Sequence, residues 1–585
     1  MSPPPNILFI LTDDQGYGDL SCHGNPVLQT PAMDRLHDES VRLTDFHVGP
    51  TCAPTRATLL TGRYANSTGV WHTVGGRSLL REDEWTLADA LRDAGYATGL
   101  FGKWHLGDNH PYRPMDRGFE QTITHGGGGI TQTPDHWGND YFDDVYRVND
   151  VPTRFEGYCT DVWFQQTRAF IADSAANNRP WFAMLTPNAP HSPFNVAPPY
   201  AEPYAGRVPD RRARFYGMIA NLDENLAALR DWLDKEGLAE NTILIFMTDN
   251  GTACGASFDA GGYVTDGFNA GMRGMKGWPY EGGHRTPCFM HHPAGQLVGG
   301  RDIKTLTASV DMMPTLLDLC GVDVPEQHTI DGVSLATALR GEHQPGLDDR
   351  IVVTDSQRLP RPIKWRQSAA MSGPWRLING EQLYNIDDDP EQRRDVASDH
   401  PDQVERLRAG YEAWWDGVSG RMDEPIPIAV RADEPTDLTA HDWHNENADC
   451  PWHQGMIRAG HRSAGYWELE VHEAGRYRVD LRRWPIEADA AITAVPDPTP
   501  IDRDGVDPHD LSWYEGGTAL PIASARLDVA GVSSEALVGE GERAATFEVD
   551  LPLGYCELAG SFADADTGDR RGAYYARLTS LASRP

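Results

Sequence analysis

Chemistry in this 585-residue chain concentrates in the segment Cys52-Ala53-Pro54-Thr55-Arg56, which continues through Ala57-Thr58-Leu59-Leu60 to Thr61-Gly62-Arg63. A lone cysteine is ordinarily a small buried hydrophobe. Here its neighbours predict a helix that begins at the cysteine. Pro54 suits a first helical turn, because its missing N–H would have had no partner there. The free N–H groups of that turn form an anion-binding end, and Arg56 adds a fixed positive charge within reach.

Two pairs of oxygen-bearing side chains form a second constellation. Asp13 and Asp14 follow the apolar run 6–12, and Asp249 and Asn250 follow the run 242–248. Three carboxylates and an amide carbonyl are hard donors that suit calcium or magnesium rather than zinc. One Asp after a strand is usually a cap or turn residue. Two pairs at equivalent strand ends point to a shared metal site.

Lysine is scarce, only five of the 51 basic residues, so each retained ammonium invites a question. A compact ammonium can approach one oxygen or donate a proton. Lys235, Lys304 and Lys364 read as ordinary surface lysines. Lys103 and Lys276 instead sit in the glycine-flanked segments Gly102-Lys103-Trp104-His105-Leu106-Gly107 and Gly274-Met275-Lys276-Gly277. His191 is flanked by Pro190 and Pro193. The run His125-Gly126-Gly127-Gly128-Gly129 is not continued by a helical pattern, so it reads either as an active-site rim or as a structural loop. As a rim it would offer Asp135, His136, Trp137 and Asn139 as substrate contacts. His72, in a loop after the Cys52 helix, is another substrate-contact candidate. Trp452 and His453 read as packing or interdomain residues in preference to a carbohydrate contact.

The elements that must position these groups are strands and helices in alternation. Residues 6–12 and 242–248 are continuous apolar runs of the kind buried on both sheet faces. Similar runs at 96–101 and 181–185 precede Lys103 and His191. Leu87, Ala90, Leu91 and Ala94 keep helical spacing, as do Phe215, Met218, Ile219, Leu222, Leu226, Leu229 and Leu233. Such alternation predicts an α/β domain with a mostly parallel sheet over residues 1–345, its ligands beyond the carboxyl ends of the strands. Short strands at 351–354, 367–371 and 374–378, then a helix carrying Val404, Leu407, Tyr411 and Trp414, predict an α+β subdomain over 346–422. From 423 to 585 the period becomes two, at Trp467, Leu469 and Val471, at Tyr477, Val479 and Leu481, and at Phe547, Val549 and Leu551. That pattern predicts an accessory antiparallel β-sandwich.

Cys-x-Pro-x-Arg with its trailing Thr-Gly-Arg resembles the signature of the type I sulfatases, in the alkaline phosphatase superfamily. Gly95-Tyr96-Ala97-Thr98 with the Lys103 segment, the Pro-flanked His191, and the Lys276 segment running on to Tyr280-Glu281-Gly282-Gly283-His284-Arg285-Thr286-Pro287 resemble further motifs of that family, in the expected order over residues 6–290. Leu383-Tyr384-Asn385-Ile386 with Asp389-Pro390-Glu391 extends the likeness into the second subdomain. The resemblance implies an alkaline-phosphatase-like core and hydrolysis of an aryl sulfate or sulfated carbohydrate. It implies oxidation of Cys52 to formylglycine by a formylglycine-generating enzyme, the hydrated aldehyde attacking sulfur to form a covalent sulfated intermediate. The implied catalytic set is Cys52, Arg56, Lys103, His105, His191, Asp249 and Lys276. The implied ligands of Ca²⁺, less fittingly Mg²⁺, are Asp13, Asp14, Cys52, Asp249 and Asn250, and Lys103, His191 and Lys276 would also bind substrate.

Forty per cent hydrophobic and 23 % charged residues describe a soluble globular protein. A formal charge of −35 argues against nucleic-acid and anionic-membrane partners. It also opposes an anionic substrate at long range, so local cations must capture it, which screening beyond about 10 Å allows. The N-terminus lacks a basic region and a long apolar run, so the chain as written is expected in the cytoplasm, or in the periplasm or secreted if a signal segment was removed. Two rivals remain: a phosphonate or phosphate monoester hydrolase on the same scaffold, and an inactive sulfoglycan-binding protein. The complete set Cys52, Arg56, Lys103, His105 and Lys276 argues against the second.

Overall fold

The computed structural model describes residues 3–581. Ten strands form its largest sheet, in the order Arg301–Ile303, Val41–Leu43, Cys288–His291, Thr242–Thr248, Asn6–Thr12, Trp181–Thr186, Ala97–Gly102, Gln121–Thr124, Val145–Val148 and Val151–Arg154. The five strands from Thr242–Thr248 to Gln121–Thr124 run parallel; antiparallel pairing follows towards both edges, and the outermost pair Arg301–Ile303 with Val41–Leu43 is parallel again. The strands Thr242–Thr248, Asn6–Thr12 and Trp181–Thr186 sit at the middle because their apolar runs can lose water on both faces.

Alternation of side chains across a strand explains the two cores. Ile7, Phe9 and Leu11 face the helices Cys52–Thr61, Leu87–Asp93 and Met312–Cys320, through Ala57, Leu60, Leu91 and Leu316. Leu8 and Ile10 face the opposite side, packed with Trp163 and Ile171 of helix Cys159–Ala176 and with Phe215 and Leu222 of helix Asp210–Lys235. Register then aligns the strand ends. Thr12 pairs with Thr248, and Gly102 with Thr186, so Asp13, Asp249, Lys103 and the loop to His191 all leave the sheet at one edge.

Four antiparallel strands, Val352–Asp355, Ser368–Ser372, Trp375–Ile378 and Gln382–Asn385, form a second sheet. One face packs Val353, Ala370, Leu377 and Leu383 against Val404, Leu407 and Tyr411 of helix Pro401–Val418. The other meets the larger unit through Ala369, Met371 and Tyr384 beside Tyr280 and Val310. Arg376 crosses this junction fully buried, its guanidinium 2.7 Å from both Glu281 and Asp45.

The remaining chain folds as two sheets around one core, in which Trp467, Leu469 and Val471 of one meet Tyr477, Val479 and Leu481 of the other. The pairing departs from a purely antiparallel pattern at one place. Strands Ile428–Val430 and Trp467–Val471 are parallel. Parallel neighbours need a long crossover, and residues 431–466 supply it. This crossover carries strand Thr436–Thr439 into the second sheet, then the turn Ala440–Asp442 and helix Gln454–Ala459. It also packs on the α/β unit, whose Leu79, Tyr112 and Trp137 join the β core.

Candidate active site

Helix Cys52–Thr61 begins at the cysteine and ends at Gly62, which takes φ 64°. The Sγ of Cys52 and carboxylate oxygens of Asp13 and Asp249 all lie within 4.8 Å of one another. Around them opposite charges interlock. Lys103 Nζ is 2.6 Å from Asp13 Oδ2, both fully buried. Arg56 reaches Asp249 Oδ2 at 2.9 Å and donates to the Lys103 carbonyl at 3.0 Å. Asp14 turns back into the site with φ 66°, receives Asn250 Nδ2 at 2.9 Å, and meets Lys276 Nζ at 2.6 Å. His191 Nε2 is 3.7 Å from the other Asp14 oxygen.

Two oxygens stand out because they are buried without a hydrogen-bond partner, Asp13 Oδ1 and Asn250 Oδ1. A buried acceptor left unmade is costly. A divalent cation among Asp13, Asp14, Asp249 and Asn250 would satisfy both, and the donors are the hard oxygens such ions prefer. The residues present therefore fit a metal.

Electrostatics separates the groups by role. Burial raises the pKa of Asp249 to about 7, aided by the Asp13 charge and opposed by Arg56. Burial would also raise Asp14, but Lys276, His191 and Lys103 outweigh it and hold that carboxyl below its ordinary range. Burial alone would lower Lys276, yet the Asp14 charge keeps its proton bound above the usual lysine range. The thiol of Cys52 is raised by burial despite the nearby lysines. His105 and His191 are both kept neutral, His191 with its pKa lowered to about 3, because burial and the nearby lysine charges disfavour the imidazolium more than the Thr73 carbonyl or Asp14 favours it.

Neutral histidines have definable tautomers, since a carbonyl can only accept. His105 Nε2 donates to the Thr73 carbonyl at 2.9 Å, leaving Nδ1 with its lone pair and no partner among the described residues. His191 Nδ1 donates to the Ser192 carbonyl at 2.6 Å, leaving Nε2 bare toward Asp14.

The glycine run is a structural loop that lies on these rings. A Cβ on Gly128 would fall 2.2 Å from His105 Cε1, and one on Gly129 would lie 3.3 Å from His191 Nδ1. Two expected rim contacts are thereby corrected. Asp135 does not reach for substrate: its carboxylate accepts from the backbone N–H groups of Gly126 and Thr131 and from the Asn139 amide, bracing the loop. Trp137 packs edge-on against Trp484 at 5.3 Å, with Arg458 above its ring at 4.6 Å, because the β region covers that side. Asn139 is spent on Asp135 and Val145, and the His136 carbonyl receives Gln454. Trp452 and His453 hold residues 132–133 across the same junction, as interdomain residues. His72 is buried, next to Thr73, whose carbonyl receives His105. Its Nδ1 accepts from Thr73 and Val74, so Nε2 carries the proton.

Two residues escaped the sequence reading. His441, on the crossover, is buried with its ring 6.0 Å from that of His105. Its Nδ1 meets Asp442 at 3.0 Å, while Nε2 has no partner among the described residues. Arg358 stands exposed beside Gly277. No local signal marks either, because the topology alone brings them there. A separate cleft of about 420 Å³ between the α/β and β regions, lined in part by Asp135 and His136, pairs Arg113 with Asp150 and Arg577 with Asp437, and none of Cys52, Lys103, His105, His191, Asp249 or Lys276 lines it.

This constellation at the carboxyl edge of an α/β sheet belongs to a hydrolase of anionic esters, and comparison identifies which class. The sulfatase family model matches residues 5–322. Arylsulfatase J of Mus musculus is 28 % identical over 456 residues, covering 73 % of each chain. N-acetylgalactosamine-6-sulfatase of Canis lupus familiaris is 31 % identical over 371 residues, 58 % of this chain and 66 % of that protein. The solved structure of Ps i-CgsB in complex with k-i-k-neocarrahexaose superposes with TM-score 0.64 and 25 % identity, over 72 % of this chain and 94 % of that one. The chain belongs to the sulfatase family. It is a sulfuric ester hydrolase with an alkaline-phosphatase-like core.

Proposed function

We propose that this enzyme cleaves sulfate monoesters of aryl or carbohydrate alcohols with position 52 oxidised to formylglycine and with Ca²⁺ held by Asp13, Asp14, Asp249 and Asn250. The observation that carries this reading is the meeting of Cys52 with Asp13 and Asp249 at a helix N-terminus, beside two orphaned oxygens. The hydrated aldehyde would supply one hydroxyl to attack sulfur and a second to expel sulfate afterwards, which a thiol with one nucleophilic group cannot do. The bound cation would neutralise the sulfuryl oxygens and favour ionisation of the attacking hydroxyl.

Around that centre the side chains divide the work. Arg56 and Lys103, fixed by Asp249 and Asp13, would hold the nonbridging oxygens as negative charge persists on them. Lys276, protonated and on the more open side at 14 % exposed, would protonate the leaving oxygen. His191, neutral with a bare Nε2, accepts a hydrogen bond from the substrate before it can donate one. His105 has the free Nδ1 lone pair needed to remove the proton from the second hydroxyl as sulfate leaves.

Turnover of matched aryl sulfate, phosphate and phosphonate monoesters tests the reading. Sulfate release that exceeds phosphate or phosphonate cleavage, and that disappears in Cys52→Ala, is the expected result. Faster cleavage of the phosphonate diagnoses the rival hydrolase. Activity retained by Cys52→Ala would exclude position 52 as the nucleophile.

A further inference from the structure

We propose that Arg358 forms a second anion subsite at the mouth of the pocket, so that the enzyme prefers a sulfate ester whose alcohol carries another anionic oxygen group, sulfate or carboxylate. This rests on reading the Cys52 pocket as the sulfuryl site. Arg358 lies in the loop between strands Val352–Asp355 and Ser368–Ser372, held in the left-handed region at φ 33°. The loop is tied to the α/β unit at one point and braced within itself. Trp71 Nε1 donates to the Leu359 carbonyl at 3.1 Å, tying it to the neighbour of His72. Arg366 donates to the Ser356 and Gln357 carbonyls at 2.7 and 2.5 Å. A Cβ on Gly277 would lie 3.7 Å from the Arg358 guanidinium carbon and 3.8 Å from its nitrogens. Gly277 follows Lys276 and donates to the Pro50 carbonyl at 2.7 Å, just ahead of the nucleophile helix.

The other cations of the site are already matched: Arg56 by Asp249, Lys103 by Asp13, Lys276 by Asp14. Among the described residues Arg358 makes no ion pair. Its charge instead bears on Lys276 and, together with Arg366, on His72. Like charges gathered at a pocket mouth repel, a cost relieved when an anion arrives. In a chain of net charge −35, an exposed, unmatched arginine there is a local attractor. Its planar fork fits either sulfate or carboxylate oxygens. Lys276, partly exposed, is the neighbour of Gly277 beside Arg358, so the ester and its second anionic group would bridge the inner pocket and Arg358.

Direct binding to the inactive Cys52→Ala protein tests this, with three probes: a hexose monosulfate, the same hexose bearing a second sulfate, and a monosulfated hexuronic acid. The expected result is about ten-fold tighter binding of one or both dianionic probes over the monosulfate. Adding Arg358→Ala should abolish that ratio, Arg358→Lys should keep part of it, and Arg361→Ala, exposed in the same loop, should leave it intact. The two dianionic arms distinguish sulfate from carboxylate as the second group. Equal affinity for all three probes, or a preference surviving Arg358→Ala, overturns the subsite. Sulfate release by the wild-type protein is measured alongside. If protein shown by mass spectrometry to carry the aldehyde at position 52 releases none from any ester, the hydrolase reading falls while the binding ratio still decides the role of Arg358.

Discussion

The inner pocket and its mouth are built on opposite principles. In the pocket, each charge is locked to a partner on another strand end, Lys103 to Asp13 and Arg56 to Asp249, and all are buried. Outside it, Arg358 is exposed and makes no ion pair among the described residues, and it arrives on a loop of the second sheet, as His441 reaches the buried His105 on the crossover. Fixed dipoles and charges cost no reorganisation during reaction, which suits a group common to every substrate. Loops and appended domains can vary without disturbing that pocket, which suits the part of a substrate that differs.

Substitutions should separate these two regions by size of effect. The largest loss is expected in the pocket. Asp13→Asn and Asp249→Asn should abolish turnover and release the metal, whereas the wild type should hold one divalent ion per chain by elemental analysis. Undiminished activity of wild-type protein stripped of metal by chelation would break the contrast at its base. Lys276→Ala comes next. It should cost about 10²–10⁴-fold on an alkyl or sugar sulfate, whose leaving oxygen needs a proton, and much less on a nitrophenyl sulfate. His191→Ala should show the weaker leaving-group dependence of the two, because its imidazole is neutral. A reversed order in matched kinetics would reassign the acid to His191.

Trp137→Ala probes the region that covers the mouth. Truncating a buried indole costs about 3–5 kcal/mol, so denaturant unfolding should weaken while KM for a small aryl sulfate stays the same. A raised KM with unchanged stability would restore Trp137 as a substrate contact. The smallest effect concerns His125, which burial lowers to about 3 despite a hydrogen bond to the Gly126 carbonyl. The folded state then binds fewer protons than the unfolded one below about pH 6.5, so stability falls as the solution is acidified. The loss is at most about 1.4 kcal/mol per pH unit. Relative to His125→Gln, the wild type should lose stability between about pH 7 and pH 5.5. A pH-independent difference would show that the imidazole titrates in the fold as it does in the unfolded chain, and a gain in stability on acidification would show it held charged.

The pocket was legible because its elements are local. An apolar run that must lie between two helical layers ends where the first polar residues appear, and Asp13 and Asp249 are those residues. Pro54 marked the helix start for the same local reason. The mouth was illegible because nothing near Arg358 or His441 records what lies across from it. Their positions depend on the parallel crossover at 431–466 and on the loop of the second sheet. Trp137 was misread for that cause too: an aromatic side chain in a loop serves a ligand or a neighbouring domain, and only the covering surface decides. The error over Asp135 was of another kind, since its partners Thr131 and Asn139 lie within four residues and a loop-bracing carboxylate was a local possibility.

The central claim is that the Cys52 side chain must become an aldehyde for this constellation to turn over. Mass spectrometry of the peptide containing residue 52, on preparations matured to different extents, measures it against sulfatase activity. The account predicts oxygen in place of sulfur with loss of two hydrogens, and activity proportional to the converted fraction, reaching zero with it. Full activity from a preparation in which every chain retains the thiol would contradict it.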